Sequence, residues 1–181
     1  MKTYNSVFVA LFVSGVLFCA GPPALASSGG IKEAGSAVLI ALSVTSTAST
    51  LVRGDAEGAR QIGSAVAVTV ALTVALKYAV DEKRPNGEDH SFPSGHSSVA
   101  FSMAEFMRAR YGLAEGGLAY GAASFVACSR VLSKQHYLHD VVAGALLGAM
   151  SAYLLSTPYK GWQASIHGDW HTFLVSLERR W

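Results

Sequence analysis

Uncharged apolar runs alternate with short polar connections along this chain, and that alternation restricts it to helices packed on helices. Ser36 to Val52 carries no charged residue, Ile62 to Val80 carries only Lys77, and Leu138 to Ser156 carries only Asp140. Between them lie a polar turn from Arg53 to Arg60 and a charged loop from Asp81 to Pro93, broken by Pro85, Asn86-Gly87 and Pro93. Valine and threonine between Ile62 and Leu76 lean toward strand, but the length of the run and its lack of turn signals favour helix. Ser94 to Tyr111 reads as a helix made amphipathic by Glu105, Arg108 and Arg110, and Gly116 to Arg130 as a Gly- and Ala-rich one. The expected fold is all-α: an up-and-down bundle of about five helices after an N-terminal signal helix. Gly144 and Gly148 form a small-xxx-small pair, which lets helix backbones approach closely, although a chain with 18 glycines yields such a pair by chance.

Only 14% of residues are charged, against roughly 25% in ordinary soluble domains. The runs, at roughly 15–19 residues, are short beside the ~20 that a span prefers. A membrane-embedded or membrane-associated bundle is the preferred expectation, and a soluble or peripheral periplasmic bundle the alternative. The net charge of +2, with no basic run interleaved with aromatics, excludes a nucleic-acid partner. Oligomeric state is not legible.

Lys2, the apolar stretch Val7 to Ala20 and Ala24-Leu25-Ala26 have the layout of a signal peptide over residues 1–26, or of an uncleaved first membrane helix. A helical domain over 27–158 and an aromatic, basic tail over 159–181 follow. Cys19 and Cys128 are the two cysteines. Were the leader removed, Cys128 would stand alone, and it reads as a small packed hydrophobe.

Alternating helices bring the end of the Ile62 helix, the start of the Ser94 helix and the Arg130–Asp140 connection to one end of the bundle. The opposite end collects Arg53, Arg60, Arg108, Arg110 and the basic tail, which suits the cytoplasmic side and leaves the first end facing outward.

That first end gathers chemistry. Lys77, Arg84 and Arg130 can clamp a phosphate, whose oxygens stay charged through transfer. Lys77 alone reads equally well as a snorkelling helix-end lysine. In Pro93-Ser94-Gly95-His96, Ser94 suits an N-cap, Gly95 allows close backbone approach, and the first amides of the helix favour an anion. His96 then stands beside that anion, where it can protonate a leaving oxygen. An ordinary helix cap with a surface histidine would read the same way. His136 and Asp140, four apart, share a helix face as a nucleophile or base and its orienter. His139 points to another face and reads as a surface group or a neighbour of the site. Glu88 and Asp89 read as a solvated acidic pair, and His90, His167 and His171 as loop or tail residues.

Taken together, Lys77-x6-Arg84-Pro85, Pro93-Ser94-Gly95-His96 and Ser129-Arg130-x5-His136-x3-Asp140 resemble the type 2 phosphatidic acid phosphatase family. That family shares its site with bacterial nonspecific acid phosphatases and vanadium haloperoxidases. The resemblance covers roughly Lys77 to Gly144, and three motifs in order make it specific. It implies a helical bundle over 27–158 and metal-independent phosphomonoester hydrolysis with no cofactor. It implies His136 as nucleophile through a phosphohistidine, His96 as general acid, Asp140 as orienter, and Lys77, Arg84, Ser94, Gly95 and Arg130 as phosphate ligands. Vanadate is then expected to inhibit as a phosphate mimic. The expected substrate is a phosphorylated lipid such as phosphatidate, phosphatidylglycerol phosphate, an isoprenyl pyrophosphate or a lipid A phosphate, met at the outer face of the bacterial inner membrane. A soluble periplasmic acid phosphatase is the alternative, and a vanadium-dependent haloperoxidase a more distant one. His139 departs from the small residue that many members carry before the aspartate.

Overall fold

The structure is a computed structural model that describes residues 28–159 and the backbone of 162–169 and 172–179. Five helices make up its body: α1 (Ser28–Val52), α2 (Ala56–Val80), α3 (Gly95–Tyr111), α4 (Leu113–Leu132) and α5 (Leu138–Leu155). They run up and down as expected. The leader assignment over 1–26 lies outside the described residues.

The first two helices are longer than their apolar runs. α1 and α2 have 25 residues each, so Lys32-Glu33 and Glu57–Arg60 are helical rather than loop. Asp55 caps α2 by accepting from the Gly58 amide at 2.9 Å, which confines the connection to a few residues. Asp81, in the left-handed region at φ 47°, ends the helix by donating its amide to Lys77 O. By length and composition α1, α2 and α5 can each cross a membrane. Ile40, Val44, Leu72, Val74, Leu146 and Met150 on those helices face outward. An outer surface this apolar suits lipid contact.

α3 is the central element, packed on α5, α4 and α2, while α1 lies mainly against α4. Its core face carries Phe101, Ala104 and Phe106. Glu105 and Arg110, expected to give α3 a solvent face, are buried instead. The charges are tolerated because they are paired: a buried ion with a full set of partners avoids most of the desolvation penalty. Glu105 accepts from Arg108 Nη2 at 2.6 Å and from the Tyr120 hydroxyl at 2.7 Å. Arg110 donates to both Asp55 oxygens, at 2.7 and 2.5 Å, and to Thr157 O at 2.8 Å. Tyr111 adds a 2.8 Å bond to Asp55, so the far ends of α2, α3 and α5 are tied at one carboxylate.

Gly144 and Gly148 are a true close-packing pair. A Cβ at Gly144 would stand 2.5 Å from Ser94 O, and one at Gly148 would run into Ser98 O. α5 therefore lies backbone to backbone on the first turns of α3, which sets the spacing of the motifs at their starts. Cys128, expected to pack as a small hydrophobe, is buried. The other cysteine, Cys19, lies outside the described residues.

The tail is not featureless. Strands β1 (Trp162–Asp169) and β2 (Thr172–Arg179) form an antiparallel hairpin with Trp162 opposite Arg179 and Asp169 opposite Thr172. Thr172 to Leu177 holds β-branched and aromatic residues at strand-like density, a signal that the prevailing helical pattern obscures.

Gly148→Ala must push α5 off α3 and is expected to lower stability by about 1–3 kcal/mol, as overpacking does. Gly121→Ala, where a Cβ meets nothing within 4 Å, is expected to be neutral or mildly stabilising. Thermal unfolding of the two variants in detergent checks the contrast, and equal midpoints would refute the close packing.

Candidate active site

The three motif clusters meet at the end of the bundle formed by the start of α1, the end of α2, the start of α3, the end of α4 and the start of α5. His136 sits in the α4–α5 connection, where its amide donates to Arg130 O at 3.3 Å. Its ring is 5% exposed, with Nδ1 3.4 Å from Asp140 Oδ2. Asp140 is fully buried in the first turn of α5. Its Oδ2 accepts from the Ser91 hydroxyl at 2.5 Å and from the Tyr137 amide at 2.9 Å. Its main-chain oxygen accepts from the Ser94 amide at 3.0 Å. One residue thus orients the histidine and pins the start of α3.

Burial, followed by the charges of Lys77 and Arg84, holds the His136 imidazole well below its ordinary value, although the Asp140 carboxylate opposes this. The shift favours the neutral ring, with Nδ1 turned to Asp140. His96 is also depressed, first by burial and then by Arg130, Arg84, Lys32 and Lys77. Lys77 and Arg84 act on both histidines, so the two rings share the field of the same pair of cations.

Each cation is held differently. Lys77 Nζ donates to His90 O at 2.7 Å and Ser91 O at 3.2 Å, bracing the loop that carries Ser91. Arg84 Nη1 donates to Glu88 at 2.7 Å, so Glu88, an exposed acid as expected, also braces the guanidinium. Arg84 Nε is buried with no hydrogen-bond partner, a donor available to an anion. Arg130 is 2% exposed and held by Ser129 Oγ at 3.0 Å, Ser36 Oγ at 3.4 Å and the Lys32 carbonyl.

Ser94 occupies the N-cap position of α3 but makes no side-chain cap bond; its hydroxyl accepts from Ser97 Oγ at 3.1 Å. A Cβ at Gly95 would meet only Thr73 Cγ2, at 3.8 Å, so packing does not demand glycine there. The room beside Gly95 lies next to the free amides at the start of α3.

Several site residues lie outside the three motifs. Ser36 Oγ is 3.4 Å from His96 Nε2, and a Cβ at Gly35 would clash with Ser129 Oγ. α1 therefore seats Arg130 and His96 from about 60 to 98 positions away, a relation that no local pattern can carry. Ser91 stands just before the Pro-Ser-Gly-His turn, and only its position there could have singled it out. His139, expected at the surface, is 58% exposed but also reaches Asp140 Oδ1 at 3.1 Å.

A family model described as the PAP2 superfamily matches residues 58–163, more than half of the chain. The chain belongs to the PAP2 superfamily. Among curated proteins, a lipid A 1-phosphatase of Helicobacter pylori is 27% identical over 124 residues, covering 64% of this chain and 65% of the relative. A lipid A 4'-phosphatase of the same species is 29% identical over 59% of this chain and 60% of its own length. The chain thus spans just under two thirds of the length of these relatives. The crystal structure of Aquifex aeolicus LpxE superposes with a TM-score of 0.53 at 20% identity, covering 85% of this chain and 86% of that one, a likeness of fold. The PAP2 match takes in all three motif clusters but not α1, so the α1 contacts with Arg130 and His96 fall outside it.

In a protein labelled at its histidine nitrogens, His136 is expected to take up its proton below the ordinary histidine value. Asp140→Asn is expected to lower it further, because Asp140 supplies the charge that favours protonation. An NMR titration that found His136 raised, or raised by Asp140→Asn, would contradict this electrostatic account.

Proposed function

We propose that this PAP2 protein is a phosphomonoester hydrolase that acts on lipid phosphates without a metal, through a phosphohistidine. The observation that carries the reading is the buried His136, set 3.4 Å from the Asp140 carboxylate and held below its ordinary pKa by burial and by cations that also act on His96. Lys77, Arg84 and Arg130 supply positive charge where a phosphate needs it, which is the task that metal ions perform in other phosphatases. The three apolar helices, and the relatives named lipid A phosphatases, support a lipid substrate, with lipid A the first to test.

In the first step His136 Nε2 attacks phosphorus in line. The bond from phosphorus to the ester oxygen breaks, and protonated His96 gives that oxygen its proton. In the second step His96, now neutral, takes a proton from water. The resulting hydroxide attacks phosphorus, the P–N bond breaks, and inorganic phosphate leaves with His136 restored. The cations, the amides at the start of α3 and Ser94 hold the equatorial oxygens throughout. Arg53, Arg60, Arg108 and Arg110 at the far end support a cytoplasmic position for that end, with the site at the outer face of the inner membrane.

Phosphate release from a panel of lipid and soluble phosphates, assayed in EDTA, tests the reading. Lipid phosphates are expected to be preferred, orthovanadate to inhibit, and His136→Ala to lose at least about 10³-fold in turnover. Silencing by EDTA, or full activity in His136→Ala, would sink it.

The pH profile carries a second expectation. Because kcat/KM follows the free protein, its alkaline limb marks the loss of the His96 proton and its acid limb the protonation of His136. Both groups are depressed, so the optimum is expected on the acid side of neutral. Lys32 is an exposed cation acting on His96, so Lys32→Gln is expected to move the alkaline limb to higher pH. A limb that stays in place or moves down would contradict His96 as the acid.

A further inference from the structure

His139 Nε2 faces more oxygen than one proton can serve. It lies 3.1 Å from Glu82 Oε1, 3.1 Å from Glu82 Oε2 and 3.1 Å from Asp140 Oδ1. A ring nitrogen carries at most one hydrogen, in either the neutral or the protonated ring. Its angle serves Glu82, so the contact with Asp140 Oδ1 is not a hydrogen bond. Asp140 is fully buried, yet this oxygen accepts no hydrogen bond, while its twin Oδ2 has two. A buried carboxylate oxygen left in this state is costly unless something positive reaches it.

We propose that Glu82, His139 and Asp140 form a binding site for a divalent zinc ion, and that zinc bound there inhibits the enzyme through Asp140. One ligand atom from each of the three lies within 4.8 Å of the others. At zinc–ligand distances of about 2.0–2.2 Å, the ligand atoms of a tetrahedral shell stand about 3.3–3.6 Å apart. The two 3.1 Å spacings from His139 Nε2 need only a slight expansion to admit the ion, and the third, between the Glu82 and Asp140 oxygens, is within 4.8 Å. One imidazole and two carboxylates suit zinc, whereas magnesium prefers an octahedron of oxygens. The half-exposed His139 leaves a path from solvent and room for water as a fourth ligand.

The same ion would withdraw charge from the carboxylate that orients His136. Asp140 Oδ1 would bind zinc while Oδ2 still faces His136 Nδ1 at 3.4 Å, so the orienting oxygen would become a weaker partner. No metal takes part in the proposed reaction, and this one would slow it. The inhibition rests on the phosphatase reading; the binding site does not.

Two measurements on the full-length protein in detergent test this. Equilibrium dialysis against zinc alone, without substrate, is expected to show one saturable site per chain. His139→Ala and Glu82→Gln are each expected to weaken it by about tenfold or more, at least the loss seen when an outer partner of a metal site is removed. Phosphate release is expected to fall as zinc is added and to recover in EDTA. In both variants the inhibition midpoint, read against each variant's own turnover in EDTA, is expected to move by the same factor. Magnesium at equal concentration is expected neither to compete nor to inhibit. Absence of a saturable site in the parent chain would overturn the proposal. So would a site, or an inhibition, that both variants leave unchanged, since the ion would then act elsewhere. If no phosphate is released under any condition, the phosphatase reading falls, and the dialysis still decides the site.

Discussion

One buried carboxylate organises this end of the molecule. Asp140 reaches three separate stretches of chain: it accepts from Ser91 in the α2–α3 loop, from Tyr137 at the start of α5, and through its carbonyl from Ser94 at the start of α3. His136 leans on the same Oδ2. Because the group is fully buried, each of these bonds is made in a poorly screening interior, where leaving a partner unsatisfied costs about 1–3 kcal/mol. The orientation of His136 and the seating of the α3 N-terminus are therefore coupled. A change that moved one would strip a bond from the other.

That coupling needs a fixed distance between α3 and α5, which Gly144 and Gly148 provide by admitting the backbone of Ser94 and Ser98. At the far end the Asp55–Arg110–Tyr111 cluster ties the same bundle with a second buried carboxylate. The middle of α3 adds Glu105 with Arg108 and Tyr120. The polar framework runs along the central helix, while α1, α2 and α5 turn apolar faces outward. This is an inside-out distribution relative to a water-soluble bundle, and it explains how so few charged residues sustain the fold. Nearly every one within the bundle has a partner.

Helix number and the gathering of the motifs at one end were legible because both follow from periodicity and alternation. The pairing of His136 with Asp140 was legible from their closeness in sequence, although His136 stands in the connection just before α5 and not on the helix that the spacing argument assumed. The ends of α1 and α2 were not, since Glu57–Arg60 is polar yet helical once Asp55 caps it. Nor was the burial of Glu105 and Arg110, because a charge in a helix reads as a solvent face unless its distant partner, Tyr120 or Asp55, is known. The α1 contribution through Gly35 and Ser36 was invisible for the same reason. The tail hairpin was obscured by the helical pattern that precedes it.

The electrostatics of the free site are poised rather than finished. Burial comes first in lowering both histidines, followed at His96 by Arg130, Arg84, Lys32 and Lys77, and at His136 by Lys77 and Arg84. A nucleophile gains from that field, because the lowered pKa of His136 favours its neutral ring. A general acid loses by it, because His96 must hold a proton to give one away. In the proposed reaction the missing charge arrives with the substrate. A phosphate bound among these cations offsets their field at His96 and raises its hold on a proton, while Asp140 keeps His136 directed at phosphorus. Binding thus favours protonation of the acid in the state where a leaving oxygen is present to receive it. In that proposal the cations that clamp phosphate and those that tune the histidines are the same residues, so such a site cannot lose one function and keep the other.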